Sequence, residues 1–240
     1  MVDTPAVNPL VISPVISPGT IVVWSDLACP WAHLAVYRLH QARDSLDLAG
    51  AVRFDHRAFV LEVANSRPTP KRILDAEIPV VGALDPGAGW QMWQEDLSCW
   101  PVTTLPALEA VQAAKEQGLA AAEQLDRALR VALFGGSRCI SLRSVILEVA
   151  GECEQVDEDR LRDALDDGRA RRMMMDQHAA ADDAGVKGSP HLFLPDGTEA
   201  HNPGVEFRWE GEHGKGFPVV TADNPTIYTE LLQRAAALAP

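Results

Sequence analysis

Residues 20–39 read "TIVVWSDLACPWAHLAVYRL". The short apolar run TIVVW is rich in β-branched residues and reads as a buried strand. Pro30 suits the first position of a helix, where its missing N–H costs nothing, so Cys29 falls at the N-cap. Leu34, Ala35, Val36 and Leu39 then supply an apolar helical face to about Asp44. A cysteine so placed meets free backbone N–H groups and the positive end of the helix dipole, both of which favour the thiolate. Taken alone, Cys29 is either a reactive thiol or, as a lone cysteine before a helix more often is, an inert small residue. Asp26 would oppose that ionisation unless it turned away or paired with a base, whereas His33, one turn along, could lower the thiol pKa by a hydrogen bond or a positive charge. Three residues after Cys29 stands Ala32, where a dithiol site would carry its second cysteine.

Working outward, "AVRFDHRAFVL" (51–61) reads as a second strand, and the helix before it is long enough for a right-handed crossover. Residues 65–106 are rich in proline and glycine, with Trp90, Trp93 and Trp100 scattered among them. They read as irregular chain with short helices. From Leu105 the pattern is helical: "LPALEAVQAAKEQ" stops at Gly118, "LAAAEQLDRALRVALF" at Gly135-Gly136, "SLRSVILEVA" opens on Ser141 as a cap, and "DEDRLRDALDD" carries acids in its first turn. "ARRMMMDQHAAADDA" closes the block at Gly185. Residues 191–194, a Pro-Asp-Gly turn and a returning strand read as a hairpin. A glycine-rich loop follows, then a C-terminal amphipathic helix capped near Asp223 or Asn224.

The 240 residues carry 21 basic and 34 acidic side chains, a net charge of −13 that argues against nucleic acid or an anionic membrane as partner. No stretch approaches the ~20 apolar residues of a membrane helix. Residues 1–19 lack a basic n-region and are broken by prolines, so they read as an extended lead-in rather than a secretory signal, with the cytoplasm as the default location. Cys29, Cys99, Cys139 and Cys153 are too few and too widely spaced for a disulfide framework, and no cluster has metal-ligand spacing. No G-x-S-x-G elbow appears.

Two motifs, "SDLACPWAHLA" and "AGVKGSPHLFLPDG", with "RVALFGGSRCISLRSVILEVAGE" between them, resemble the DsbA family of thioredoxin-fold proteins. The likeness is greatest to its cytoplasmic branch of FrnE-like proteins and 2-hydroxychromene-2-carboxylate isomerases. The resemblance implies an α/β fold: a thioredoxin-like domain with a mixed central sheet over 20–63 and 186–240, interrupted by a helical insertion over 64–185. It implies that Cys29 faces a cis Pro190, with Ser189 free to pair with an extended ligand and Trp31 shaping the contact surface. Cys29 and His33 are then the candidate catalytic residues, and Trp31, Ser189 and Pro190 the substrate-binding ones. Ala32 departs from the family's dithiol pattern: a mixed disulfide at Cys29 can be released only by an outside thiol. Three readings stay open: a monothiol thiol-disulfide oxidoreductase, a glutathione-type isomerase or transferase, and a binding module without turnover. No tightly bound cofactor is implied. The expected partner is a thiol or disulfide, small or an extended peptide, with a low-molecular-weight thiol such as glutathione as co-substrate.

Overall fold

A computed structural model describes residues 15–239. The lead-in expected over 1–19 lies outside them save for residues 15–19. Strand β1 (Thr20–Ser25) runs into helix α1 (Pro30–Ser45) and strand β2 (Arg53–Ala58). All six residues of β1 are buried, as a central strand covered on both faces requires. It pairs parallel with β2 on one side and antiparallel with β3 (His191–Phe193) on the other, and β3 pairs antiparallel with β4 (Glu199–His201). The resulting order β2-β1-β3-β4 makes a mixed sheet.

Between β2 and β3 come the short α2 (Leu61–Ala64), α3 (Lys71–Gly82), α4 (Leu105–Ala114), α5 (Leu119–Phe134), α6 (Arg143–Gly151), α7 (Glu158–Asp167) and α8 (Arg169–Ala180). The main core of this block is alanine- and leucine-rich, with Leu125, Leu129 and Phe134 sealed inside it. Trp90, Trp93 and Trp100 pack against that core, and of the methionine run Met173 and Met174 are buried while Met175 is exposed. A second core lies between the sheet, α1 and the C-terminal helix α9 (Thr226–Ala237), around Phe54, Leu39 and Tyr228.

Three local readings are corrected. Residues 71–82 form a full helix despite Pro79 inside it, because its buried face of Ile73, Leu74, Ile78 and Val81 outweighs one lost hydrogen bond. Ser141 does not cap α6; its hydroxyl donates to Thr103 O at 2.6 Å, tying the helical block to the loop before α4. The region read as a glycine-rich loop holds an antiparallel hairpin, β5 (Val205–Glu210) and β6 (Phe217–Asp223). Its base is closed at Gly204, where φ is +74° and a Cβ would stand 2.2 Å from Asn224 O. Only glycine fits there. Arg38 of α1 grips the same base, its guanidinium 2.6 Å from Asp223 Oδ1 and 2.5 Å from Asp85 Oδ2.

Candidate active site

The loop from β1 to α1 brings Cys29 to the start of the helix in extended conformation, with Pro30 following at the first helical position. The Ser189-Pro190 peptide is cis. Across the gap the Cys29 thiol donates to Ser189 O at 3.1 Å, and Ser189 Oγ accepts from the Asp26 N–H at 2.9 Å. Two parts of the chain some 160 residues apart thus meet through two hydrogen bonds.

Cys29 opens on a cavity of about 420 Å³, a size typical of small-molecule sites. Its walls come from the start of α1, the Arg67–Pro70 loop, α3, Ser189 and the β5–β6 hairpin. Trp31 lies flat on Phe207 of β5, ring centroids 4.0 Å apart and planes 5° apart, so the hairpin braces the indole that follows the cysteine. The Trp31 indole N–H donates to Glu77 Oε1 at 3.1 Å. Glu77, from α3, is 7% exposed and lines the cavity with Cys29. Burial raises its pKa to about 7, a single hydrogen bond from Trp31 opposing the shift.

Electrostatics overturn the expected thiolate. Cys29 is 5% exposed, and that burial, with the nearby Glu77 carboxylate second, pushes its pKa up to about 12. The hydrogen bond to Ser189 and the Ala32 backbone N–H pull the other way and lose. One backbone N–H at the helix start and one contact from the Ser189 side chain cannot offset the desolvation of a buried anion that no cation pairs with. At rest Cys29 is a protonated hydrogen-bond donor.

Asp26 neither turns away nor meets a base. Its carboxylate is sealed beneath the site, accepting from Ala28 N at 2.8 Å, Leu61 N at 2.9 Å and Thr104 Oγ1 at 3.1 Å. Burial still raises its pKa above the ordinary value, against those three donors and Arg130. Arg130 of α5 is completely buried: it pairs with Asp126 at 2.6 Å and donates to Asp26 O at 2.9 Å and Ser25 Oγ at 2.7 Å.

His33 does not join the constellation. Its ring faces the other side of α1, with Nε2 3.0 Å from Ala88 O, edge-on to Trp90 and stacked on Phe134. Burial lowers its pKa to about 3, so it is neutral and supplies no positive charge to the thiol. Trp31, Ser189 and Cys29 are brought together as the sequence led us to expect, with Pro190 cis beside them. The sequence reading missed Glu77 and Phe207. Phe207 had a signal in the alternation of Val205, Phe207 and Trp209; Glu77, one acid in an amphipathic helix, had none. Ala32 is fully buried behind Cys29, and no other cysteine lines the cavity. Cys99 is exposed, Cys139 half-buried, and the buried Cys153 donates to Val149 O at 3.2 Å.

Among the described residues no cluster of three or more metal-ligating side chains occurs, and no helix is long and apolar enough to cross a membrane.

The family model of the DSBA-like thioredoxin domain matches residues 20–209. No curated protein sequence matches the chain. Among solved structures, a probable DsbA oxidoreductase from Streptomyces coelicolor is similar over 92% of this chain and 91% of its own, at 20% identity and a TM-score of 0.66. The cytosolic disulfide reductase DsbM from Pseudomonas aeruginosa with GSH is similar over 91% and 96%, at 15% identity and TM-score 0.59. A 2-hydroxychromene-2-carboxylate isomerase is similar over 75% and 87%, at 18% identity and TM-score 0.56. At these identities the likeness is one of fold.

Proposed function

The chain belongs to the DSBA-like thioredoxin domain family, and on that premise we propose that it is a thiol-disulfide oxidoreductase acting through Cys29 alone. The observation that supports this reading best is the contact of Cys29 Sγ with Ser189 O beside the cis Pro190, at the wall of a cavity sized for a small molecule. Cys29 attacks one sulfur of a small disulfide and forms a mixed disulfide, and the departing sulfur leaves as a thiol with the proton that Cys29 gave up. With Ala32 in place of a resolving thiol, a second, low-molecular-weight thiol attacks the mixed disulfide and frees Cys29. The net reaction exchanges one thiol for another on the substrate disulfide. Glutathione fits the co-substrate's class, and a reducing cytoplasm would supply it.

Reduction of cystamine by added glutathione tests this, with intact mass and peptide mapping of quenched samples. Turnover should require the added thiol, vanish in Cys29→Ser, survive in Cys99→Ser, and show a transient adduct on Cys29. Turnover that survives Cys29→Ser would end the reading. A second reading, a thiol-dependent isomerase, draws support from the protonated Cys29, which offers a hydrogen bond as a serine hydroxyl would. Tight glutathione binding without any disulfide turnover would put that reading first.

A further inference from the structure

Glu77 is a buried carboxyl with an unusual lack of company. Trp31 Nε1 is its one hydrogen-bond partner among the described residues, and no arginine, lysine or histidine forms an ion pair with it. The second carboxylate oxygen has no hydrogen-bond partner among the described residues, and Glu77 lines the cavity with Cys29. The basic side chains on the cavity wall, Arg67 and His213, make no ion pair with it, and Asp26 behind the site adds further negative charge. A buried carboxylate with one donor and no counter-ion is costly, and a ligand that brings a positive donor relieves that cost.

We propose that Glu77 makes the inner wall of the cavity a subsite for a protonated amine, so that the thiol or disulfide taken at Cys29 is an amine-bearing one. This rests on the reading of Cys29 as the exchanging thiol and names its substrate class. The ammonium donates to the free oxygen of Glu77, while Trp31, held between Glu77 and Phe207, fixes that carboxylate in place. The same contact serves the chemistry. The Glu77 charge is the strongest electrostatic opponent of the Cys29 thiolate, and a cation seated on it removes that opposition when the substrate sulfur arrives. No electrons or atoms beyond those of the exchange are required; the amine keeps its protons throughout.

Three small disulfides of similar size test the subsite: cystamine, with two ammonium groups; bis(2-hydroxyethyl) disulfide, which is neutral; and dithiodiglycolate, with two carboxylates. Mixed-disulfide formation at Cys29, followed by mass mapping, should be about tenfold or more faster with cystamine than with the neutral probe, and slowest with the anion. Glu77→Gln keeps an acceptor for the Trp31 N–H and should collapse the order to within about threefold. The exposed Cys99 is the internal control, since the chain's general acidity acts on it as well and Glu77→Gln should not change its order. Equal rates at Cys29 in the native protein, or an order that survives Glu77→Gln, would overturn the proposal. A second measurement needs neither that variant nor the reactive thiol. In Cys29→Ser, the indole N–H resonance of Trp31 should shift with cysteamine and stay still with 2-mercaptoethanol; no shift with either would also overturn it. If Cys29 reacts with none of the disulfides, the oxidoreductase reading fails, and the Trp31 resonance still decides the subsite.

Discussion

The clearest measurable consequence of the site is that Cys29, in the free protein, should be a slow thiol. Its pKa of about 12 exceeds the ~8.5 of a free cysteine by roughly 3.5 units. At pH 7 the thiolate is then about three-thousandfold scarcer than for an unhindered cysteine. A more basic thiolate is a better nucleophile, and a Brønsted slope of about 0.45 returns a factor of roughly forty. The balance is a reaction about a hundredfold slower than that of a free thiol toward a neutral disulfide reagent at pH 7. Timed exposure to 2,2′-dithiodipyridine between pH 5 and 10, with acid quench and peptide mapping, separates Cys29 from the exposed Cys99. The Cys29 rate should climb about tenfold per pH unit with no plateau below pH 10. Glu77→Gln should raise it, since that variant removes the larger of the opposing charges. A plateau below pH 8, or Cys29 outpacing Cys99 at pH 6, would refute the claim that burial outweighs the helix N-terminus here.

Three further outcomes follow from geometry. Ala32→Cys places a second thiol three residues from Cys29 in the first turn of α1, where the two sulfurs can reach bonding distance. The variant should form that disulfide on oxidation, seen as one intramolecular crosslink by mass, and oxidise a dithiol peptide that the parent cannot. Arg130→Met strands the buried Asp126 carboxylate and should cost about 3–5 kcal/mol by urea unfolding; Arg130→Met with Asp126→Asn should recover part of that loss. Stability should fall with acid: His33 and His40, both held to about 3 by burial, take up protons on unfolding below pH 6.5, while Glu77, raised to about 7, is protonated in the native state and opposes them down to its ordinary range near 4.5. These three groups give a loss of roughly 1.5 kcal/mol per pH unit near pH 5, steeper below pH 4.5 and absent above pH 7. Urea midpoints measured from pH 7.5 to 4 check the slope and its sign.

The strand, helix and strand at the start were legible because local rules agree there: β-branched residues, a proline at the first helical turn, and an apolar face of the right period. The cis-proline loop was legible through its likeness to a family. What stayed hidden depends on distant partners. Cys29 looked like an activated thiol because its place at a helix start is local, whereas its burial is made by α3, Ser189 and the hairpin, 40 to 180 residues away. His33 looked like its partner by spacing alone, yet Phe134 and Ala88 claim the ring. The β5–β6 hairpin was masked by the glycines that flank its turn, although Val205, Phe207 and Trp209 alternate as a strand should.

Arg130 also governs how this chain can be taken apart. It comes from the helical block but spends two of its donors on Ser25 and Asp26, at the end of the first strand. Cutting the block out would leave the Asp26 carbonyl and the Ser25 hydroxyl beneath Cys29 without their donor. Cutting the strand away would leave a guanidinium half-paired within a leucine core. The insertion is therefore not a removable module: a trimmed thioredoxin-like fragment would lose the floor of its own site, and grafting this cysteine loop onto another scaffold would require carrying α5 along with it.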